Sequence, residues 1–142
     1  MKTVRQVLAG KPPGVHSIAP DASVYDALKL LAEKDIGALV VLDGHKLVGI
    51  LSERDYARKV ILVGKSSREM AVREIMTHQV LCVAPAHTVD QCMGLMTQKR
   101  CRHLPVIEDK RVIGILSIGD LVKETISEQQ QLIQQLESYI HG

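Results

Sequence analysis

The chain contains no phenylalanine and no tryptophan, and tyrosine occurs only as Tyr25, Tyr56 and Tyr139. With hydrophobic residues nevertheless at 46%, the core must be built from Val, Leu, Ile, Met and Ala. The same poverty of aromatics removes the stacking platforms on which single-stranded nucleic acids are held. Charge of one sign is lacking too: 18 basic residues stand against 16 acidic ones, a net +2, which excludes the one-signed field of a dedicated nucleic-acid binder. The three cysteines, Cys82, Cys92 and Cys101, are odd in number and match no zinc or redox spacing, so reduced, mostly buried thiols are expected. No stretch approaches the ~20 apolar residues of a membrane span and no apolar signal core opens the chain, so a soluble, cytoplasmic protein is expected.

What is present is a duplication. Residues 19–55 align without a gap onto residues 84–120 at a constant offset of 65, with 12 of the 37 positions identical. The identities include Pro20 with Pro85, Leu39 with Leu104, and the run Gly49-Ile50-Leu51-Ser52 plus Asp55 with Gly114-Ile115-Leu116-Ser117 plus Asp120. Unrelated segments would share roughly two or three positions, so the chain is a tandem repeat. At 142 residues two half-size repeats sharing one core fit the length.

Each repeat is expected to run strand, helix, strand, strand, helix. Val24, Ala27, Leu28 and Leu31 fall at i, i+3, i+4 and i+7, and Val89, Cys92, Met93 and Met96 repeat the spacing, so each repeat buries one helical stripe. Ser23 and Thr88 are the N-cap candidates. Two β-rich runs follow, Ala38 to Leu42 and Leu47 to Leu51, joined by Asp43-Gly44-His45-Lys46, and the second repeat answers with His103 to Ile107 and Val112 to Leu116. Pro105 cannot donate to a ladder, which places its strand at an edge or its backbone toward something other than a neighbouring strand. A second helix begins at Ser52 and at Ser117. Upstream, Arg5-Gln6-Val7-Leu8 resembles Arg73-Glu74-Ile75-Met76 once three residues around Lys11-Pro12-Pro13 are treated as an insertion, so each repeat carries a lead-in. The expected divisions are residues 4–62, a linker at 63–71, residues 72–126, and a C-terminal amphipathic helix at 127–142. On that helix Leu132, Ile133, Leu136, Tyr139 and Ile140 form an apolar face suited to self-association.

The repeated signature is glycine, two apolar residues, serine, two variable residues, aspartate. Ser-x-x-Asp at a strand-to-helix junction is a capping arrangement, the serine oxygen accepting backbone amides and the aspartate favoured by the helix N-terminus. It is equally a hydroxyl and a carboxylate one helical turn apart, able to hydrogen-bond the vicinal hydroxyls of a ribose. Arg54 and Arg58, four apart, could meet a phosphate beside that ribose. Where the first repeat has Asp35, Gly37 and Ala38, the second offers Arg100, Arg102 and His103, so the two sites are expected to bind unequally.

These residues resemble a tandem pair of cystathionine-beta-synthase (CBS) domains over roughly residues 4 to 125. The resemblance rests on the duplicated Gly-x-x-Ser-x-x-Asp, on Arg102-His103-Leu104-Pro105-Val106 and on Val72-Arg73-Glu74-Ile75-Met76. It implies an α+β fold of two β-α-β-β-α motifs about a pseudo-two-fold axis, in a free-standing, bacterial-type signalling module. It further implies an adenosine-type ligand: AMP, ADP, ATP, NAD or S-adenosylmethionine. Carried over residue by residue, one site would use Ser17, Ile18, Ile36, Gly37, Ala38, Ser52, Arg54 and Asp55, and the other Cys82, Val83, Cys101, Arg102, His103, Ser117, Gly119 and Asp120. Homodimers and regulation of a partner protein are also implied. Gly119 and Ile118 replace Arg54 and Glu53, so phosphate contacts in the second half would fall to Arg100, Arg102 or His103.

Two rivals remain. An enzyme is disfavoured by the lack of a phosphate-binding loop, a metal-ligand pair or a nucleophile–base pair. A nucleic-acid or protein interaction scaffold without a small-molecule ligand would reduce the motifs to caps and use Lys59, Lys65, Arg68 and Arg73, although Glu69 and Glu74 interleave with them. Cys101, between Arg100 and Arg102, is a candidate low-pKa redox thiol.

Overall fold

The computed structural model describes residues 2–141, with the backbone alone at His141. The first half contains α1 (Val4–Ala9), β1 (Ser17–Ile18), α2 (Val24–Lys34), β2 (Ala38–Asp43), β3 (Lys46–Ser52) and α3 (Glu53–Tyr56), which continues as one π-helical turn through Ala57–Ile61. The second contains α4 (Val72–Ile75), α5 (Val89–Lys99), β4 (His103–Glu108), β5 (Arg111–Ser117) and α6 (Ile118–His141). The long helices start where the caps direct them. Ser23 Oγ accepts the Asp26 amide at 3.0 Å, and Thr88 exchanges hydrogen bonds with Gln91 in a capping box. They stop at left-handed Asp35 (φ 52°) and Arg100 (φ 54°), which swing the chain into the next strand.

In the first half β1 pairs parallel with β2, and β2 antiparallel with β3. The second half repeats the hairpin, His103 opposite Ser117 as Ala38 is opposite Ser52, but its leading strand shrinks to a single bridge between Val83 and Val106. Pro105 stands where Val40 pairs with Ser17. It still accepts from the Val83 amide at 3.0 Å but has no N–H to give, and the parallel ladder goes no further. The proline strand is thus an edge of the two-stranded β4–β5 sheet, as expected, with the isolated Val83 bridge on its outer side.

The expected single shared core resolves into two. One cluster gathers Val24, Ala27, Leu31, Leu39, Val41, Leu51 and Val60, and the other Val83, Val89, Cys92, Met96, Leu104, Val106, Leu116 and Leu121. Each is completed by the lead-in of the opposite half: Val72, Ile75 and Met76 close the first core, Val4 and Val7 the second. The exchange is reciprocal in its hydrogen bonds. The Val4 amide donates to His87 O and Arg5 to Pro85 O, just as Val72 donates to Ala22 O and Arg73 to Pro20 O. Ion pairs from Lys2 to Glu124 and from Arg5 to Glu108 hold α1 on the second half. Such reciprocity is what a pseudo-two-fold axis between the repeats requires.

The motif glycines follow from this packing. A Cβ on Gly49 would meet Met76 Sδ at 2.5 Å, and one on Gly114 would meet Leu8 Cδ2 at 2.6 Å, so each repeat needs a bare backbone where the other lead-in crosses its strand. Finally, α6 runs unbroken over 24 residues, so the second helix of the repeat and the apolar C-terminal helix are one element. Leu132, Ile133, Leu136, Tyr139 and Ile140 on it are all exposed.

Candidate functional site

Both Ser-x-x-Asp motifs sit at a strand end opening into a helix. At the first, the Ser52 amide and hydroxyl donate to Asp55 Oδ2 at 3.0 and 3.1 Å, and the Asp55 amide donates to Ser52 Oγ at 3.2 Å. At the second, the Ser117 amide donates to Asp120 Oδ2 at 2.9 Å and the Asp120 amide to Ser117 Oγ at 3.1 Å. The capping reading is therefore present in the geometry of both. In each, the first helical amide also reaches the segment before the hairpin, Glu53 N to Gly37 O at 3.2 Å and Ile118 N to Arg102 O at 2.9 Å.

Beyond the caps the two motifs differ. Asp55 Oδ1 receives the Lys59 ammonium at 3.2 Å and the Thr77 hydroxyl at 3.4 Å. Lys59 also donates to Ile75 O at 2.9 Å. Thr77 is placed by its backbone exchange with Ile50, 3.0 and 2.9 Å in the two directions. Asp120 instead receives the ammonium of Lys11, 2.7 Å from its Oδ2, and Lys11 donates as well to Ile115 O at 2.8 Å. Burial alone would raise the Asp120 carboxyl, but the Lys11 ammonium and the Ser117 amide and hydroxyl outweigh it and hold it below its ordinary value.

A cavity of about 1090 Å³ opens on the first motif. Gly37, Ser52, Arg54 and Asp55 from the first expected set line it, and so do Cys101, Arg102 and His103, which the sequence assigns to the other set. Residues of the two expected sites thus meet in one cleft. Ser17 and Ile18 on β1, Ile36 before β2, and buried Ala38 lie outside its lining. Cys82, buried Val83, Ser117, Gly119 and Asp120 also lie outside it. The cleft adds residues the sequence did not single out, namely Thr77, Gln79, Val80 and Leu81 from the segment after α4, and it takes in Lys59, which the sequence offered only to an interaction scaffold. Lys59 was signalled by its i, i+4 spacing from Asp55. Thr77 and Lys11 carried no local signal, because the lead-ins cross to the opposite half.

Electrostatically the cleft is cationic. Arg54, Arg58 and Lys59 approach from one half and Lys99, Arg100 and Arg102 from the other, against the carboxylates of Glu53 and Asp55. His103 lies against Gly37, its Nε2 3.4 Å from where a Cβ there would stand. Its burial lowers the imidazole below its ordinary 6.5, opposed by Asp120 and assisted by Lys11 and Arg102. The expectation of an activated Cys101 thiol is corrected: burial pushes it up from its ordinary value and outweighs the lowering effect of a backbone hydrogen bond. Burial likewise raises Cys82 and Cys92. Among the described residues no group of three or more His, Cys, Asp or Glu is placed to hold a metal, and no helix is long and apolar enough to cross a membrane.

The model of the CBS domain family matches the chain twice, at residues 4–62 and 72–127. The CBS domain-containing protein CBSX3, mitochondrial, of Arabidopsis thaliana is 44% identical over 127 residues, covering 86% of this chain, which spans 62% of that protein's length. The structure of a protein with CBS domains from Burkholderia ambifaria superposes with a TM-score of 0.87 at 50% identity, covering 90% of this chain and 96% of that one. The CBS domain pair of protein MJ0100, solved in complex with 5′-methylthioadenosine and S-adenosyl-L-methionine, superposes with a TM-score of 0.78 at 28% identity, covering 90% and 98%. Two repeats with exchanged lead-ins, each presenting a Ser-x-x-Asp cap at the end of its hairpin, are thus the two halves of a tandem pair, and the chain belongs to the CBS domain family.

Proposed function

We propose that the chain is a regulatory module that binds an adenosine ligand with an anionic phosphate tail in the cleft over Ser52 and Asp55. The observation that carries this reading is the composition of the cleft: one hydroxyl–carboxylate pair beside six Arg and Lys side chains drawn from both halves. Ser52 and Asp55 would hold the ribose hydroxyls, Ile50, Val80 and Leu81 would give apolar contact to the base, and Arg54, Arg58, Arg100 and Arg102 would meet phosphates. The positive field favours AMP, ADP, ATP or NAD over S-adenosylmethionine, whose tail carries a sulfonium and an ammonium. The two ligands found with MJ0100 support the adenosine class.

The cleft is lined from both repeats, so a ligand in it stabilises one packing of the halves over another by its difference in affinity between them. A partner protein that binds one packing preferentially would read that difference. Association of chains into homodimers through the exposed apolar face of α6 belongs to the same reading, and sedimentation of wild type against Leu136→Glu tests it.

Calorimetric titration with AMP, ADP, ATP, NAD and S-adenosylmethionine tests the ligand class. Saturable binding is expected, weakened roughly 10- to 100-fold in Asp55→Ala, the loss of about 1.5–3 kcal/mol expected for a hydrogen bond to a charged group. Silence across the panel in folded, nucleotide-free protein would return both motifs to helix capping. Salt-sensitive binding of RNA by the same arginines, without nucleotide binding, would then favour an interaction scaffold.

A further inference from the structure

We infer that Lys11 is an internal occupant of the second Ser-x-x-Asp motif, and that the chain therefore offers one open nucleotide site, the second being reached only by displacing this lysine. The inference rests on the adenosine reading above and goes beyond it in assigning the inequality of the sites to one side chain.

The argument is positional. In the first half, the chain after α4 stays against β3: the Thr77 amide donates to Ile50 O at 2.9 Å and the Thr77 hydroxyl to Asp55 Oδ1 at 3.4 Å. After α1 the backbone instead turns away at Gly10, and three extra residues around Lys11-Pro12-Pro13 precede β1. The two acceptors left over in the second half are Ile115 O and the Asp120 carboxylate, the counterparts of Ile50 O and Asp55. Both are taken by the Lys11 ammonium, at 2.8 and 2.7 Å. One side chain thus replaces a backbone amide and a hydroxyl. Lys11 lands on Asp120 Oδ2, the oxygen that also accepts the Ser117 amide. By contrast Lys59 meets Asp55 on Oδ1, away from the Ser52 contacts, and belongs to the lining of the open cleft. A ribose hydroxyl approaching Asp120 Oδ2 competes with the ammonium for that oxygen, and displacing the ammonium strands a half-buried carboxylate and a carbonyl that the ligand must satisfy instead. The occupant is tethered to α1, so filling the second site would pull on the lead-in that completes the second core.

The test is calorimetry with ATP on wild type, Lys11→Met, which keeps the apolar stem, and Lys11→Gln as a second variant should the first fail to fold. Wild type is expected to bind one ATP per chain, and Lys11→Met or Lys11→Gln two, with the additional site abolished by Asp120→Ala and the first site changed less than about threefold. Two ATP per wild-type chain, or one per chain in the Lys11 variants, would overturn the inference while leaving the proposed function standing. Weaker binding in the Lys11 variants would also overturn it, by making Lys11 a ligand contact. No binding in any of the proteins would overturn both readings together.

Discussion

Gly49 and Gly114 are the smallest residues of the signature and the ones whose role is purely steric. Gly49→Ala is expected to cost more stability than Gly114→Ala, both on the order of 1–3 kcal/mol for overpacking. The reason is what the new methyl meets: at Gly49 it finds the Thr77 carbonyl at 3.0 Å as well as Met76, whereas at Gly114 its three nearest atoms all belong to the flexible end of Leu8. Urea unfolding of the two variants gives the order, and Leu8→Ala should recover part of the loss in Gly114→Ala only. At Asp120 the argument is electrostatic. Its folded carboxyl titrates below the ordinary 3.8, so the stability it contributes is present above that pH and lost as pH falls through the folded value. Lys11→Met removes the cation responsible, so the stability gap between wild type and variant should narrow as pH falls below 3.8, and a pH-independent gap would deny the ion pair that role. The Ser-x-x-Asp caps were legible at this scale because both partners lie three residues apart. Lys11 was not, because its partner lies 109 residues away.

At the scale of elements, α1 and α4 are too short to be stable alone and exist because each buries an apolar face in the other half. Ile75, 1% exposed, belongs to the core of α2 and the β2–β3 hairpin although it sits in the second repeat by sequence. Ile75→Ala should cost about 2–5 kcal/mol. Hydrogen exchange should show the loosening in α2 and β2–β3 rather than in β4–β5, and protection lost chiefly in the second hairpin would contradict the exchange. The π-helical turn at Ala57–Ile61 follows the first site directly and puts Lys59 within 3.2 Å of Asp55. Helices α2 and α5 were readable from their apolar stripes and caps, and the hairpins from their β-rich runs. The π turn, and the continuity of α6 through residue 127, had no signature that periodicity resolves.

At the scale of the whole molecule the exchange makes the repeats one folding unit. Neither core is complete without the other half, so calorimetric unfolding should show one transition with equal calorimetric and van't Hoff enthalpies, and two separable transitions would mean the halves melt independently. Under the proposed function, the same interlock would let a ligand in the cleft act on both repeats, since the cations around it come from both.

The sequence by itself determined the duplication, the helices and hairpins of each repeat and the capping geometry of both motifs, since these depend on residues a few positions apart. Only the tertiary structure decided that the lead-ins trade halves, that Arg100 and Arg102 face the first motif's cleft, and that Lys11 fills the second motif. Those pairings join residues far apart in the chain, where local spacing carries no information and the burial of each lead-in's apolar face chooses the partner.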